Sequence, residues 1–185
     1  MKDKILDAAE QMVQDRGLNA VSFQQLADTV GLSKPSVFHH FRNKEALAQA
    51  LIGRCVCKYT PQYSAIIESD SDAASKLRGI AQVFADHLAQ DRLCLLGVMG
   101  NSVSTLTEPA REDLRRTAVD SIALYTRVFT QGRAEGSLDF AGSPEDAATA
   151  FLALLQGLQT LARAKGDLGI FQRASESYIA SISVE

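Results

Sequence analysis

An all-α fold is what this sequence predicts. Three observations carry it: apolar residues recur every three to four positions along most of the chain, helix caps and glycines separate these stretches, and no convincing strand offers itself for pairing. The composition agrees, since 4 prolines, 6% aromatic residues and no tryptophan suit a helical chain better than a sandwich of short strands broken by turns.

Taken in order, Lys2–Arg16 places Ile5, Ala9, Met12 and Val13 on one stripe, and Gly17 stops the helix. Ser22-Phe23-Gln24-Gln25 is a capping box, opening a short helix to Val30 that turns Leu26, Ala27 and Val30 inward. Gly31 suits the left-handed position just past a helix end. Ser33 caps a third helix, Lys34 to about Arg42, with Pro35 in the first turn, where its missing N–H costs nothing. Asn43 caps a fourth, Lys44 to about Tyr59, which Pro61 is expected to interrupt. The helices then lengthen: Asp72–Gln90, Pro109 to about Arg133, a helix opened by Ser143-Pro144-Glu145-Asp146, and Asp167–Ile182. The apolar run Leu93–Leu106 is read as a buried helix, having no strand to pair with.

The chain has 185 residues, enough for a core that buries roughly 70% of the unfolded surface. With Lys+Arg 19 against Asp+Glu 22, the net charge of −3 excludes a uniformly basic coater of nucleic acid but leaves room for a local basic face. No secretory apolar segment follows Met1, and the greasiest stretches, Leu93–Gly100 and Ala147–Leu155, fall well short of the ~20 residues that a membrane span needs. Three cysteines, an odd number, argue for reduced thiols rather than a disulfide framework. The expectation is a cytoplasmic protein without a membrane partner.

Short helix, glycine turn, short helix is the spacing of a helix-turn-helix. A small residue at Ala27 lets the second short helix cross closely, and Leu26, Val30, Leu32, Val37 and Phe41 support the pair. Thr29–Lys44 holds Lys34, Arg42 and Lys44 and no acid, so cations gather on the third helix and its exit. An ordinary corner of a helical bundle would share the periodicity. It would have no need for Ser36, Phe38, His39 and His40 on the solvent side of that helix, where they can hydrogen-bond or press on sugar and thymine methyl in a major groove.

The run Gly31-Leu32-Ser33-Lys34-Pro35-Ser36-Val37-Phe38-His39-His40-Phe41-Arg42-Asn43-Lys44-Glu45-Ala46-Leu47 resembles the recognition-helix signature of the TetR family of bacterial transcriptional regulators. Upstream, Ile5-Leu6-Asp7-Ala8-Ala9, Gly17 and Gln25-Leu26-Ala27 match as well. Phe38 departs from the pattern, which usually carries tyrosine there and so a phenol that reaches phosphate. The resemblance implies a three-helix helix-turn-helix DNA-binding domain over 1–46 and a helical effector-binding and dimerisation domain over 47–185. It implies that Gln24, Lys34, Pro35, Ser36 and His39 touch base edges or nearby sugar-phosphate, and that Ser22, Phe38, His40 and Lys44 anchor on the backbone. The implied activity is that of a ligand-responsive regulator, most simply a repressor, binding double-stranded operator DNA as a homodimer.

Ala147–Leu155 is apolar on nearly every side, as a helix covered both by its own core and by a second copy would be. Phe151, Leu155, Leu158, Phe171 and Tyr178 are the candidates for that interface. Phe84, His87, Cys94, Met99, Tyr125 and Phe129 are the candidates for a pocket holding an unidentified small-molecule effector, mostly apolar with a few polar handles, though plain core would read alike. Cys55 and Cys57 diverge around their helix and cannot share a metal, so they read as packing residues. No metal site and no cofactor are expected. A catalytic constellation is likewise not found, because Cys94 and His87 come without a third group. The alternatives are a helical small-molecule carrier or enzyme that binds no DNA, and an architectural DNA binder with minor-groove wedges.

Overall fold

The computed structural model describes residues 1–184. Among them are nine α-helices: α1 (Lys2–Arg16), α2 (Phe23–Val30), α3 (Lys34–His40), α4 (Lys44–Ile67), α5 (Ala73–Ala89), α6 (Leu95–Gly100), α7 (Glu108–Glu135), α8 (Pro144–Lys165) and α9 (Gly169–Ile182). Two 3-10 turns, Leu18–Ala20 and Val103–Thr105, and an isolated antiparallel bridge between Leu138 and Ser183 complete the regular structure.

The helices begin and end where local chemistry favours it. Ser22 accepts from the Gln25 N–H while the Gln25 side chain accepts from the Ser22 N–H, closing the capping box of α2. Gly31 ends that helix at φ 69°, ψ 37°, a conformation in which a side chain is strained. The Lys4 ammonium donates to the Val30 carbonyl (2.9 Å), adding a cation at the negative end of α2. A second capping box, Ser143 with Asp146, starts α8 ahead of Pro144.

The chain divides into two units. The first takes Met1–Lys58 and Cys94–Ala118, that is α1 to α3, the first part of α4, α6 and the start of α7. Ile5, Ala9 and Val13 of α1 meet Leu26 and Ala27 of α2, Val37 of α3, and Leu47, Ala48 and Leu51 of α4 in one core; Leu95, Met99, Leu106, Ala110 and Leu114 extend it. Fully burying a side chain of this size contributes about 1.5–3 kcal/mol, so α4 belongs to this core well past residue 46. On the rim, the buried Glu10 is paired with Arg54 and Lys58 (3.2 and 3.4 Å), and Arg54 also bonds Asp7, which fastens α4 along α1.

The second unit comprises Tyr59–Leu93 and the described chain from Val119 onward. Its core is built from Leu77, Ile80 and Phe84 of α5, Tyr125, Val128 and Phe129 of α7, Phe151, Leu155 and Leu158 of α8, and Phe171 and Ile179 of α9. The buried Gln159 amide donates to the Phe84 carbonyl (3.0 Å), and the buried Lys76 donates to Gln131 (2.7 Å).

Three local expectations need correction. Pro61 does not interrupt α4, which runs on to Ile67. A proline inside a helix costs about 3 kcal/mol, but Tyr59 and Ile67 are buried and Tyr63 packs between rings, which offsets the lost bond. Leu93–Leu106 is not one buried helix: it forms the short α6 and a 3-10 turn, with Leu95, Met99 and Leu106 buried and Val103 exposed. Cys57 is an exposed residue and not a packing one, because it lies on the side of α4 away from the core.

Candidate nucleic-acid interface

Two short helices and the turn between them position the exposed side chains of the first unit. Leu32 N–H reaches back to the Ala27 carbonyl (2.9 Å) across Gly31, so α3 leaves α2 at a fixed angle. Ser33 then starts α3: its Oγ accepts from the Ser36 N–H (3.3 Å) and lies 2.8 Å from Ser36 Oγ. With Val37 fully buried, one side of α3 is fixed on the core and the other faces outward.

The outward side carries the residues expected there. Ser22, Gln24, Lys34, Pro35, Phe38, His39 and Lys44 are exposed, while Ser36 and His40 are half-buried. They share the α2–α3 surface and the start of α4. Gln24 donates to Asp28 (2.8 Å), which fixes its amide on the α2 surface. Lys34 sits over the Phe38 ring at 5.8 Å, and that ring stands edge-on to Phe23 at 4.7 Å. Phe38 therefore packs on its own helix pair and, at 42% exposed, still presents apolar surface to solvent. His39 and His40 meet edge to face at 5.6 Å. The Lys44 ammonium donates to the Asn19 carbonyl in the first 3-10 turn (2.8 Å). Asn19, Phe23 and Asp28 were not among the expected site residues; they act by holding others, and only the fold brings Asn19 to Lys44.

The six pocket candidates do not fall in one unit. Phe84, Tyr125 and Phe129 are buried in the second with His87 half-buried beside them, whereas Cys94 and Met99 belong to the first. In the second unit the aromatic set is larger than expected. Tyr59 meets His87 at 4.8 Å, and Tyr63 meets Tyr125 at 5.5 Å and Phe84 at 6.2 Å. Phe129 packs on Phe140 and Phe151 instead (5.2 and 5.9 Å). Tyr63 lies beyond the point where α4 was expected to stop, which is why periodicity did not find it. A groove of about 330 Å³ opens along α5 and α9, lined by Arg78, Gln82, Phe171, Ser175 and Glu176, with Arg78 bonded to Glu176 through two nitrogens (2.8–3.0 Å); none of the six pocket candidates lines it.

In the first unit, Cys55 lies against Leu95 and Met99 beside a narrow apolar crevice. Burial pushes its thiol far up, with Cys94 adding to the effect, so Cys55 is held neutral and unreactive. Among the described residues no group of three or more His, Cys, Asp or Glu is arranged to hold a metal ion. No helix of these residues is long and apolar enough to cross a membrane.

Of the interface candidates, Phe151, Leu155, Leu158 and Phe171 are buried by their own unit, and Tyr178 is half-buried, stacked on Phe151 at 5.9 Å. The outward side of α8 is formed by Ala150, Ala153, Gly157, Leu161 and Ala164, all exposed and uncharged, with Leu161 56% exposed.

Residues 5–51 match the sequence model of the bacterial regulatory proteins of the tetR family. The HTH-type transcriptional repressor NemR of Escherichia coli is 25% identical over 166 residues, spanning 88% of this chain and 83% of that protein. A transcriptional regulator of the TetR family from Agrobacterium tumefaciens has the same fold, with a TM-score of 0.93 at 23% identity over 99% of this chain and 97% of that one. AibR, solved in complex with isovaleryl coenzyme A and operator DNA, superposes with a TM-score of 0.80 at 19% identity, over 98% and 97% of the two chains. At these identities the structural matches speak for the fold.

Proposed function

Because this chain belongs to the TetR family of bacterial regulatory proteins, we propose that it is a transcriptional repressor that binds a palindromic operator as a homodimer and is released by a small-molecule effector. It acts by binding and not by catalysis, in the cytoplasm, where its DNA is. The observation that carries the reading is the exposed side of α3 and its exit to Lys44, a stretch (residues 29–44) that holds Lys34, Arg42 and Lys44 and no acid, held on a core by caps at both short helices.

The mechanism follows from that surface. The α3 helix enters the major groove by its N-terminal turn, where Lys34, Pro35 and Ser36 meet base edges, with Gln24 and His39 beside them. Ser22, Phe38, His40 and Lys44 lie against sugar and phosphate, and fix register without reading sequence. Two such surfaces, about 34 Å apart, read successive half-sites. The second copy packs on α8 and α9 by the uncharged side Ala150, Ala153, Gly157 and Leu161, with Phe151, Leu155, Leu158 and Phe171 supporting that side from within.

The effector reading rests on Tyr59, Tyr63, Phe84, His87 and Tyr125, an aromatic set with hydroxyl and imidazole handles suited to an apolar, hydrogen-bonding molecule. AibR combines a small molecule with operator DNA, and the same two kinds of ligand are assigned to this chain. An effector releases DNA only by binding more tightly to a state with the wrong spacing of recognition helices.

Selection from random duplex DNA by the purified protein tests the proposal. Enrichment of an inverted repeat is expected. Weak, salt-sensitive binding with no enriched sequence, with and without cell extract as a source of effector, would leave the carrier or enzyme reading in its place.

A further inference from the structure

We propose that Thr105 and Asn19 are positioning residues for Lys44: a hydrogen-bonded relay from the 3-10 turn Val103–Thr105 holds the Lys44 ammonium where it meets DNA phosphate. The proposal rests on the DNA-binding reading above.

Lys44 opens α4 on an exposed surface, and a lysine there is free to sample many rotamers. Its ammonium is instead tied to the Asn19 carbonyl at 2.8 Å, across 25 residues of sequence. Asn19 lies in the turn that leads from α1 into Ser22, another of the backbone anchors. The side chain of Asn19 is held in turn, its Oδ1 being 3.0 Å from Thr105 Oγ1. Thr105 Oγ1 is also 2.8 Å from the Ser102 carbonyl, so the single proton of this hydroxyl is shared between Asn19 Oδ1 and that carbonyl, and links the two 3-10 turns. The second turn is itself fixed, because the Arg111 guanidinium on α7 donates to the Val103 and Ser104 carbonyls (3.0 and 3.1 Å).

The relay therefore runs Arg111, the Val103–Thr105 turn, Thr105, Asn19, Lys44, all within the first unit. It does not compete with DNA. An ammonium has three protons, the Asn19 carbonyl takes one, and two remain for a phosphate. What the relay supplies is order before binding: a side chain already immobilised does not lose that freedom on meeting DNA, a saving of about 0.5–1.5 kcal/mol, which is about two- to tenfold in affinity per half-site. It also makes residues 102–111, about sixty positions beyond the helix-turn-helix, part of the surface that anchors DNA.

The experiment is a double-mutant cycle in the full chain, reading operator affinity against salt concentration. Lys44→Ala is expected to lower the log–log salt slope by about 0.9 per chain, the signature of one lost phosphate contact. Thr105→Val keeps the side chain's shape and removes its hydroxyl; it is expected to weaken operator binding about two- to tenfold at an unchanged melting temperature, and Thr105→Ser to restore it. In the Lys44→Ala background, Thr105→Val is expected to cost nothing more. An equal loss in both backgrounds, or wild-type affinity for Thr105→Val, would overturn the relay. A salt slope unaltered by Lys44→Ala would overturn it differently, by removing the phosphate contact that it serves.

Discussion

Lys34 and Ser36 occupy the first turn of α3, and their side chains have different freedom. Lys34 leans over the Phe38 ring, whereas the Ser36 hydroxyl lies beside that of Ser33 and can still accept from, or donate to, a base edge. Replacing either with alanine is expected to cost about 1–3 kcal/mol on the operator and to relax selectivity at one base position, read by competition among single-base operator variants; unchanged selectivity would remove that residue from the readout. Phe38 gives the opposite test. Its ring stands edge-on to Phe23 and lacks the phenol usual in the family, so Phe38→Tyr is expected to tighten operator binding about tenfold per half-site, as a new hydrogen bond to a charged group does, with no change in salt slope. That these side chains face outward was legible in the sequence, because their offset from Gly31 and from the buried Val37 sets which side of α3 they occupy. The part of Asn19 was not, since its carbonyl meets the Lys44 ammonium across 25 residues of sequence, a contact that only the fold makes.

The helices differ in what their apolar residues face. Leu155 is fully buried within its own unit, whereas Leu161, on the same helix, is 56% exposed. A charge at Leu155 is therefore expected to unfold the second unit, costing more than about 4 kcal/mol, and a charge at Leu161 to leave the melting of the single chain intact while dissociating the proposed dimer. Sedimentation of Leu161→Asp as a dimer would contradict the assigned face. Periodicity had marked Ala147–Leu155 as apolar on nearly every side, but it could not say which side the chain covers itself. Gly132 marks a close approach on α7, where an added Cβ would lie 2.5 Å from Leu138 Cγ and 2.9 Å from Ala73 Cβ, so Gly132→Ala is expected to lower the melting temperature, whereas equal melting would show that Leu138 can yield. At the start of α5, hydrogen bonds from the Ser75 backbone and hydroxyl hold the Asp72 carboxyl below its ordinary range. A group whose pKa is depressed by folding stabilises the fold above its unfolded value, near about 3.9, and loses that contribution as pH falls through the lower folded value. The stability difference between wild type and Asp72→Asn, followed by urea melts, should thus shrink as the pH is lowered from about 5 to about 2. A difference that does not change with pH would mean that the carboxylate contributes nothing through its charge.

At the scale of the whole molecule, fold class and function were legible for one reason: a helix-turn-helix is local, and its caps, glycine and cation segregation all lie within the first fifty residues. The partition into units was not legible. Residues 94–118 return to the core built by α1 to α4, a long-range choice that no local pattern announces, and α4 passes through Pro61 on the strength of tertiary packing. Tyr63 joins the aromatic set only because of that continuation, so the effector reading depends on the same long-range packing. The proposed function requires two copies to present their α3 helices at one fixed separation. Its most direct test is operator affinity after inserting about half a helical turn, roughly 5 base pairs, between the half-sites of the selected inverted repeat. Binding is expected to fall to the level of random duplex, because the second helix then faces the wrong side of the DNA. Affinity that survives the insertion would mean that each copy binds its half-site alone, and the symmetric dimer would have to be abandoned.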